Sequence, residues 1–242
     1  MTDFHSHVLP GIDDGSKDVG VSIGMLDMMQ AQGVSRLCCT SHFYANRNTP
    51  ENFLRNRQAA YEKLTEEMEK ERQKGKAFPE LRLGAEVHFF DGMSTSKDLP
   101  DLCLEGTNLL LLEMPFTQWS DRMLDEVVQI GRRGLQPVAA HIERYLNLNS
   151  KRTIKAFMEE TGVLIQCNAE FFLDRRTARK ALHMLKKEQI HFLGSDAHNL
   201  TLRQPNFGPA ADLIERKLGP YAMERLLDIA EDLIGPEREA LV

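Results

Sequence analysis

The chain has 242 residues, of which 42% are hydrophobic and 27% charged, and a formal net charge of −6. That length suits one larger domain spanning residues 1–242, and the apolar content excludes a disordered chain. The acidic balance argues against a nucleic-acid partner, which calls for a basic surplus, although basic pockets can exist within an acidic whole.

The opening residues, Met1-Thr2-Asp3-Phe4-His5, carry neither the basic nor the apolar region of a secretory signal. The longest aliphatic run, Leu109 to Leu112, is far too short for membrane insertion. Four cysteines, Cys38, Cys39, Cys103 and Cys167, form no Cys-x-x-Cys pair, so neither a disulfide framework nor a zinc-thiolate site is indicated. A cytoplasmic location with reduced thiols is expected.

Short apolar runs alternate with longer amphipathic ones. A strand at 1–5 is followed by His5 and His7, and then by a turn carrying Asp13 and Asp14. Ser16 is a candidate cap for a helix running to Gly33. The strand at 34–40 leads to His42. Thr49-Pro50 supplies a cap and a first-turn proline for a charged helix over 51–75, which reads as a solvated outer face. The strand at 81–88 ends with Glu86 and His88, and the one at 109–113 ends with Glu113. Ser120 and Gly134 bracket a helix, the strand at 136–140 leads to His141, and Ser150 and Gly162 bracket another helix. The strand at 163–167 is followed by Asn168 and Glu170, and the last, at 191–194, by Asp196 and His198. Helices over 174–188, 202–217 and 221–234 complete the set.

Seven strands alternating with helices imply a parallel sheet with helical crossovers, closed or nearly closed into a barrel; an open doubly wound sheet is the alternative. In such barrels the site lies at the C-terminal ends of the strands, and nearly every strand delivers an imidazole or a carboxylate there. Each piece alone has an ordinary reading: His-x-His pairs are common, and a glutamate ending a strand is usually solvated. Their convergence on one rim points to metal binding. Imidazole plus carboxylate suits manganese, iron or zinc, and the donors are too many for one ion. His183, within a helix, and His191, at a strand start, read as structural, and His88 as a supporting group. The rim aromatics Phe43, Tyr44, Phe116, Trp119, Phe171 and Phe172 read as loop packing ahead of substrate platforms.

The run Asp3-Phe4-His5-Ser6-His7, followed by Gly11-Ile12-Asp13-Asp14-Gly15, resembles the opening motif of the PHP (polymerase and histidinol phosphatase) superfamily. Ser41-His42, Gly84-Ala85-Glu86, Glu113-Met114-Pro115, Ala140-His141-Ile142-Glu143-Arg144-Tyr145 and Gly194-Ser195-Asp196-Ala197-His198-Asn199 continue it across essentially the whole chain. Spelling and order resemble the CpsB/CapC branch, manganese-dependent protein-tyrosine phosphatases of bacterial polysaccharide operons. The resemblance implies an α/β fold, a distorted seven-stranded (β/α)7 TIM-like barrel of the PHP type, with three divalent ions. By motif position His5, His7, Glu86 and Asp196 would hold one ion, Glu86, Glu113 and His141 a second, and Asp14, His42 and His198 the third. Arg144 and Arg203 stand where that branch places its phosphate-binding arginines, and with Asp196 they are the expected catalytic residues. The implied partner is a tyrosine-phosphorylated protein, a bacterial tyrosine autokinase controlling capsule or exopolysaccharide assembly. Homo-oligomers occur among relatives, so assembly is left open.

The expected reaction is direct hydrolysis by a metal-activated hydroxide, with the two arginines gripping phosphoryl oxygens. Cysteine phosphatases need an arginine six positions after the nucleophile; here Tyr44, Ala45, Leu109 and Leu173 fill those positions, which excludes that route. The alternatives are a PHP phosphoesterase for a small molecule such as histidinol phosphate, a non-catalytic metal-bound regulatory module, and an amidohydrolase-like barrel. The last usually carries a lysine that has no match here.

Overall fold

A computed structural model describes residues 1–235. In chain order it contains β1 (Thr2–Ser6), α1 (Val19–Ala31), β2 (Arg36–Cys39), β3 (His42–Phe43), α2 (Pro50–Arg72), β4 (Glu80–Leu83), β5 (Glu86–His88), β6 (Leu109–Glu113), α3 (Asp121–Arg132) and β7 (Gln136–Ala139). There follow α4 (Lys151–Glu160), β8 (Leu164–Asn168), α5 (Ala169–Leu173), α6 (Ala178–Lys186), β9 (Phe192–Gly194), α7 (Phe207–Leu218) and α8 (Pro220–Ile234). Among the described residues, no helix is long and apolar enough to cross a membrane.

The strands form two parallel sheets, β1-β2-β4 and β3-β5-β6-β7-β8-β9. The sheets curl until their outer strands meet. Asp196 N donates to His5 O (2.8 Å), His7 N donates to Ala197 O (2.9 Å), and Ser6 bridges Ala197.

Two expected strands have other bounds. The run 34–40 appears as β2, and the chain pairs again as β3 just beyond it, while the run 81–88 divides into β4 and β5 at Gly84-Ala85. The breaks are in step, because Cys39 pairs with Leu83 before them and His42 with Glu86 after them. At the break Arg57 Nη1 takes the Gly84 carbonyl (2.9 Å), and Glu86 N donates to Thr40 O and Ser41 O (3.1 and 3.0 Å). The ladder is thus re-aimed just before both strands reach the rim.

Alternation along each strand divides the core. In β6, Leu109 and Leu111 join an inner cluster with Phe4, Cys38, Val138 and Phe192, while Leu110 and Leu112 face the helices. Phe4 and Phe192 stack at 4.0 Å in that inner cluster. Helix α8 lays Ala230 and Ile234 against it. With both faces buried, the near-continuous hydrophobicity of these strands is accounted for.

The expected caps hold at Thr49, which accepts from Asn52 N, and at Ser150, which accepts from Thr153 N. Ser16 does not cap α1. The cap is Asp18, whose carboxylate accepts from Val21 N (2.9 Å), while the Ser16 hydroxyl donates to Asp18 O and bonds Ser22. Aspartate competes well for that role, and two adjacent candidates made the start ambiguous. The helix expected over 174–188 is shorter, and the brief α5 precedes it. The helix expected from 202 starts only at Phe207, because 199–206 forms a loop: Asn199 Oδ1 accepts from Arg203 N (3.1 Å), and His198 N donates to Arg203 O (2.8 Å).

Candidate active site

The sequence-predicted metal donors gather at one rim, buried except for the exposed Asp14 and the half-buried His42. His5 and His7 leave β1 two residues apart and share a face, with their Nε2 atoms 3.1 Å from each other. Glu86 Oε2 lies 3.2 and 3.3 Å from those nitrogens, and Asp196 Oδ1 lies 3.7 and 3.5 Å from them. The first expected ligand set therefore converges. In the second set, His141 Nε2 is 2.7 Å from Glu86 Oε1 and 3.6 Å from Glu113 Oε1. In the third, Asp14 Oδ1 is 3.5 Å from His42 Nε2 and 3.6 Å from His198 Nε2.

The sets overlap more than motif position implies. His7 also falls with Asp14, His42 and His198, and His42 also falls with Glu86 and Glu113, each group offering ligand atoms within 4.8 Å of one another. The His42 ring reaches both ways, with Nδ1 3.0 Å from Glu86 Oε2 and Nε2 toward Asp14.

Electrostatics favour a cation here. Burial alone would raise the Glu86 carboxyl, yet the imidazoles of His5, His141 and His42 hold it well below the usual range. Glu113 is held at about 2 against burial, by His141 and His88. Burial opposes a charge on His7, but the Asp13 carboxylate outweighs it and raises that imidazole well above its ordinary value. His5 Nδ1 faces Gln166 Oε1 (3.2 Å) and His7 Nδ1 faces Asp13 Oδ2 (2.8 Å). With both Nδ1 atoms donating, the two Nε2 lone pairs oppose each other. Only a cation between them, a proton or a metal ion, makes that contact favourable. His198 Nε2 is buried without a hydrogen-bond partner, so that atom is left for a cation. Imidazole and carboxylate without thiolate fit a borderline or hard divalent metal.

Arg144 and Arg203 both reach Asp196. Arg144 Nη2 pairs with Oδ2, and Arg203 Nη2 lies 2.7 Å from Oδ1. Each side chain is a little over one-third exposed, 36% and 37%. With Asp196 they line a 460 Å³ cavity beside the carboxylate cluster, so their guanidinium groups are open to an entering anion.

Backbone geometry at the site is specialised. His141 has φ 32° and Asp196 φ 52°, left-handed values that cost a non-glycine residue on the order of 1–2 kcal/mol. Gly194 explains a glycine of the last motif: a Cβ there would sit 2.6 Å from His5 Cβ and 2.8 Å from Gln166 Nε2. Gly15 is equally confined, since a Cβ would run into His7 O and His7 Cβ.

Several supporting groups are less visible in the sequence. Asp13, expected near the rim, holds His7 and also accepts from His42 N (2.9 Å). His88 bonds Glu113 Oε2 (2.8 Å) and is indeed a supporting group. Gln166 Oε1 accepts from His141 N (2.7 Å) as well as facing His5, while its Nε2 donates to Asn168 Oδ1 (3.0 Å). Asn168 Nδ2 then donates to Asp196 Oδ2 (2.8 Å). This polar strut on β8 ties three candidate ligands together. Its only trace in the sequence is two amides at i and i+2 inside Leu164-Ile165-Gln166-Cys167-Asn168. His191 is structural, since its Nδ1 accepts from Ile165 N (3.0 Å). All four cysteines are free and buried, and burial pushes the Cys103 thiol up to about 11 and Cys38 and Cys167 well above their ordinary value.

A family model described as capsular polysaccharide synthesis, CpsB/CapC, matches residues 1–234. Among relatives, the tyrosine-protein phosphatase CpsB of Streptococcus agalactiae serotype III (strain NEM316) is 30% identical over 242 residues, covering 93% of this chain and 94% of that one. The tyrosine-protein phosphatase YwqE of Bacillus subtilis (strain 168) is 25% identical, covering 97% and 91%. A solved structure from work on YwqE of Bacillus subtilis and CpsB of Streptococcus pneumoniae, described as unique metal-dependent tyrosine phosphatases, superposes with a TM-score of 0.80 at 24% identity. It covers 97% of this chain and 94% of that one. At that identity the likeness speaks for the fold.

Proposed function

Because this chain belongs to the CpsB/CapC capsular polysaccharide synthesis family, we propose that it is a metal-dependent protein-tyrosine phosphatase. Its relatives carry that activity in their names. The observation that carries the reading is the meeting of nine donors with two partly open arginines at Asp196. We read residues 1–242 as one cytoplasmic domain, and the two sheets as one distorted seven-stranded barrel of the PHP type. The in-step strand breaks and the meeting of β1 with the chain after β9 support that reading. The substrate is a tyrosine-phosphorylated protein, a bacterial tyrosine autokinase acting in capsule or exopolysaccharide regulation, and the family name supports that setting.

His5, His7, Asp14, His42, Glu86, Glu113, His141, Asp196 and His198 would hold up to three divalent ions, manganese first, with Glu86 shared. Bound there, such ions supply a lowered water pKa near neutrality and charge neutralisation at phosphorus. The rest falls to the chain. Asp13 and Gln166 accept at Nδ1 of His7 and His5, which fixes the ring orientations and aims the Nε2 atoms inward. Arg144 and Arg203 leave Asp196 and turn their forked donors onto phosphoryl oxygens, fixing the ester and stabilising charge as the bond breaks. The leaving tyrosine has a pKa near 10, so little acid assistance is needed. The buried, protonated cysteines take no part.

The test is phosphate release from a phosphotyrosine peptide, with phosphoserine peptide and histidinol phosphate alongside. Turnover of the phosphotyrosine peptide should require manganese, vanish in excess EDTA and survive thiol alkylation. Turnover that persists in EDTA, or that favours histidinol phosphate, would sink the proposal.

A further inference from the structure

Of the six aromatic side chains expected in rim loops, Phe43 lies in β3 and Phe171 and Phe172 in α5, and the surroundings of the six sort them. Phe43, Trp119, Phe171 and Phe172 are buried in the core between sheet and helices. Tyr44 is half-buried and its ring is occupied: the Arg47 guanidinium lies 4.8 Å over it, and His42 and His88 pack at 5.1 and 5.3 Å. Phe116 differs, being 48% exposed although it is a large apolar ring beside the metal-ligand cluster.

That exposure is not looseness. Phe116 stacks on His141 at 5.9 Å with an interplanar angle of 17°, and on Tyr145 at 5.4 Å and 29°. Tyr145 is fully buried and backed by Trp119 at 5.0 Å, which in turn packs on Phe157 at 4.6 Å. The loop is pinned beside it, since Trp119 Nε1 donates to Pro115 O (3.0 Å) and Trp119 N donates to Asn149 Oδ1 (2.8 Å). One face of the ring is thus fixed by a column of aromatics, while the remainder is left to water. A single exposed apolar side chain is ordinary; what sets Phe116 apart is that its other face is fixed on His141 at the donor cluster.

We propose that Phe116 determines specificity by stacking its open face against the phenyl ring of the substrate phosphotyrosine; this rests on the phosphatase reading above. Phe116 stacks on His141, whose Nε2 meets Glu86, and Arg144, three residues beyond His141, meets Asp196, so an aryl ring carried on a phosphoryl group between them would come beside that face. Offset or tilted aromatic pairs are favourable at centroid separations of about 4.5–7 Å, the spacing Phe116 already keeps with His141. An alkyl phosphate carries the same anion and gains nothing there, so the ring discriminates by binding.

The test uses the manganese-loaded protein and two inert anions, phenylphosphonate and methylphosphonate, measured as competitive inhibitors of phosphotyrosine-peptide hydrolysis and by calorimetric binding. Phe116→Leu keeps apolar bulk in the loop, and Phe116→Trp keeps an aromatic face. Phe116→Leu should weaken phenylphosphonate by about fivefold and leave methylphosphonate unchanged, while Phe116→Trp should bind both as wild type. Wild-type affinity of Phe116→Leu for phenylphosphonate overturns the inference, as does equal weakening of both anions, which would mark a disturbed loop. A wild-type protein that hydrolyses the peptide while these variants behave alike defeats only the role of Phe116. A wild-type protein that releases no phosphate defeats the function and this inference together.

Discussion

At the N-terminal ends of the strands, Arg36 and Arg82 lie buried against Glu80, at 3.5 and 2.6 Å, and Arg36 also approaches Glu231 of α8 at 3.8 Å. There the two guanidinium groups face the carboxylates of Glu80 and Glu231. At the C-terminal ends, among the described residues, the carboxylates of Asp13, Asp14, Glu86, Glu113 and Asp196 crowd six imidazoles, His88 included, with the guanidinium groups of Arg144 and Arg203 at Asp196. Burying charge is costly at both ends. The floor consists of fixed ion pairs, whereas the rim gathers imidazole and carboxylate atoms in metal-ligand spacing. Burial of charge therefore does not by itself mark function; the kind and spacing of the buried groups do.

The contrast breaks most sharply at the shared carboxylate. Glu86→Gln should lower phosphate release by about a thousandfold, and the rise in Tm on adding manganese to wild type should be lost; a variant still stabilised by manganese would mean the ions bind elsewhere. Arg203→Ala should cost about a hundredfold in kcat/KM while manganese still raises Tm, separating phosphate grip from metal binding. If metal stabilisation disappears as well, that separation fails. Gln166→Leu removes the β8 strut, and manganese affinity by calorimetry should fall about tenfold or more, with activity recovering at high manganese. Arg36→Met probes the floor: stability should drop by about 2 kcal/mol in urea melts with kcat unchanged, and a loss of kcat would mean the two ends are coupled. The smallest effect concerns pH. Burial, with Arg225 nearby, holds His191 at about 4, below the usual imidazole value, and its Nδ1 must stay bare to accept from Ile165 N. The unfolded chain binds that proton first, so stability should decline as pH falls from about 6.5 toward 4. His191→Gln should flatten that slope.

Much of the rim was legible because its chemistry needs particular side chains at strand ends. His5, His7, Glu86, Glu113, His141, Asp196 and His198 are imidazoles and carboxylates placed at the ends of apolar runs, and the folded chain gathers them. What escaped the sequence has local physical reasons. The break after β2 falls at Thr40-Ser41, residues that strands commonly accept, and in 81–88 Gly84 alone hints that the ladder is interrupted. Gln166 looks like one polar residue in a strand until its partners, 161 residues away at His5 and 25 away at His141, are known. Asp18 displaced Ser16 as a cap because two good cap residues stood within one turn. Phe116 was grouped with five other rim aromatics, and only the packing behind it sets it apart.

The contact between Ser195 N and Asp3 Oδ1, at 2.8 Å, spans 192 residues. His5 and His7 are made well before Asp196 and His198, so the first two imidazole donors wait through nearly two hundred residues of synthesis for their carboxylate and imidazole neighbours. Helix α8, which brings Ala230 and Ile234 to the inner cluster, emerges later still. Such dominance of distant pairings makes for slow closure. The donor cluster is therefore a product of closure: until the first and last strands meet, its members are far apart along the chain and present no common pocket.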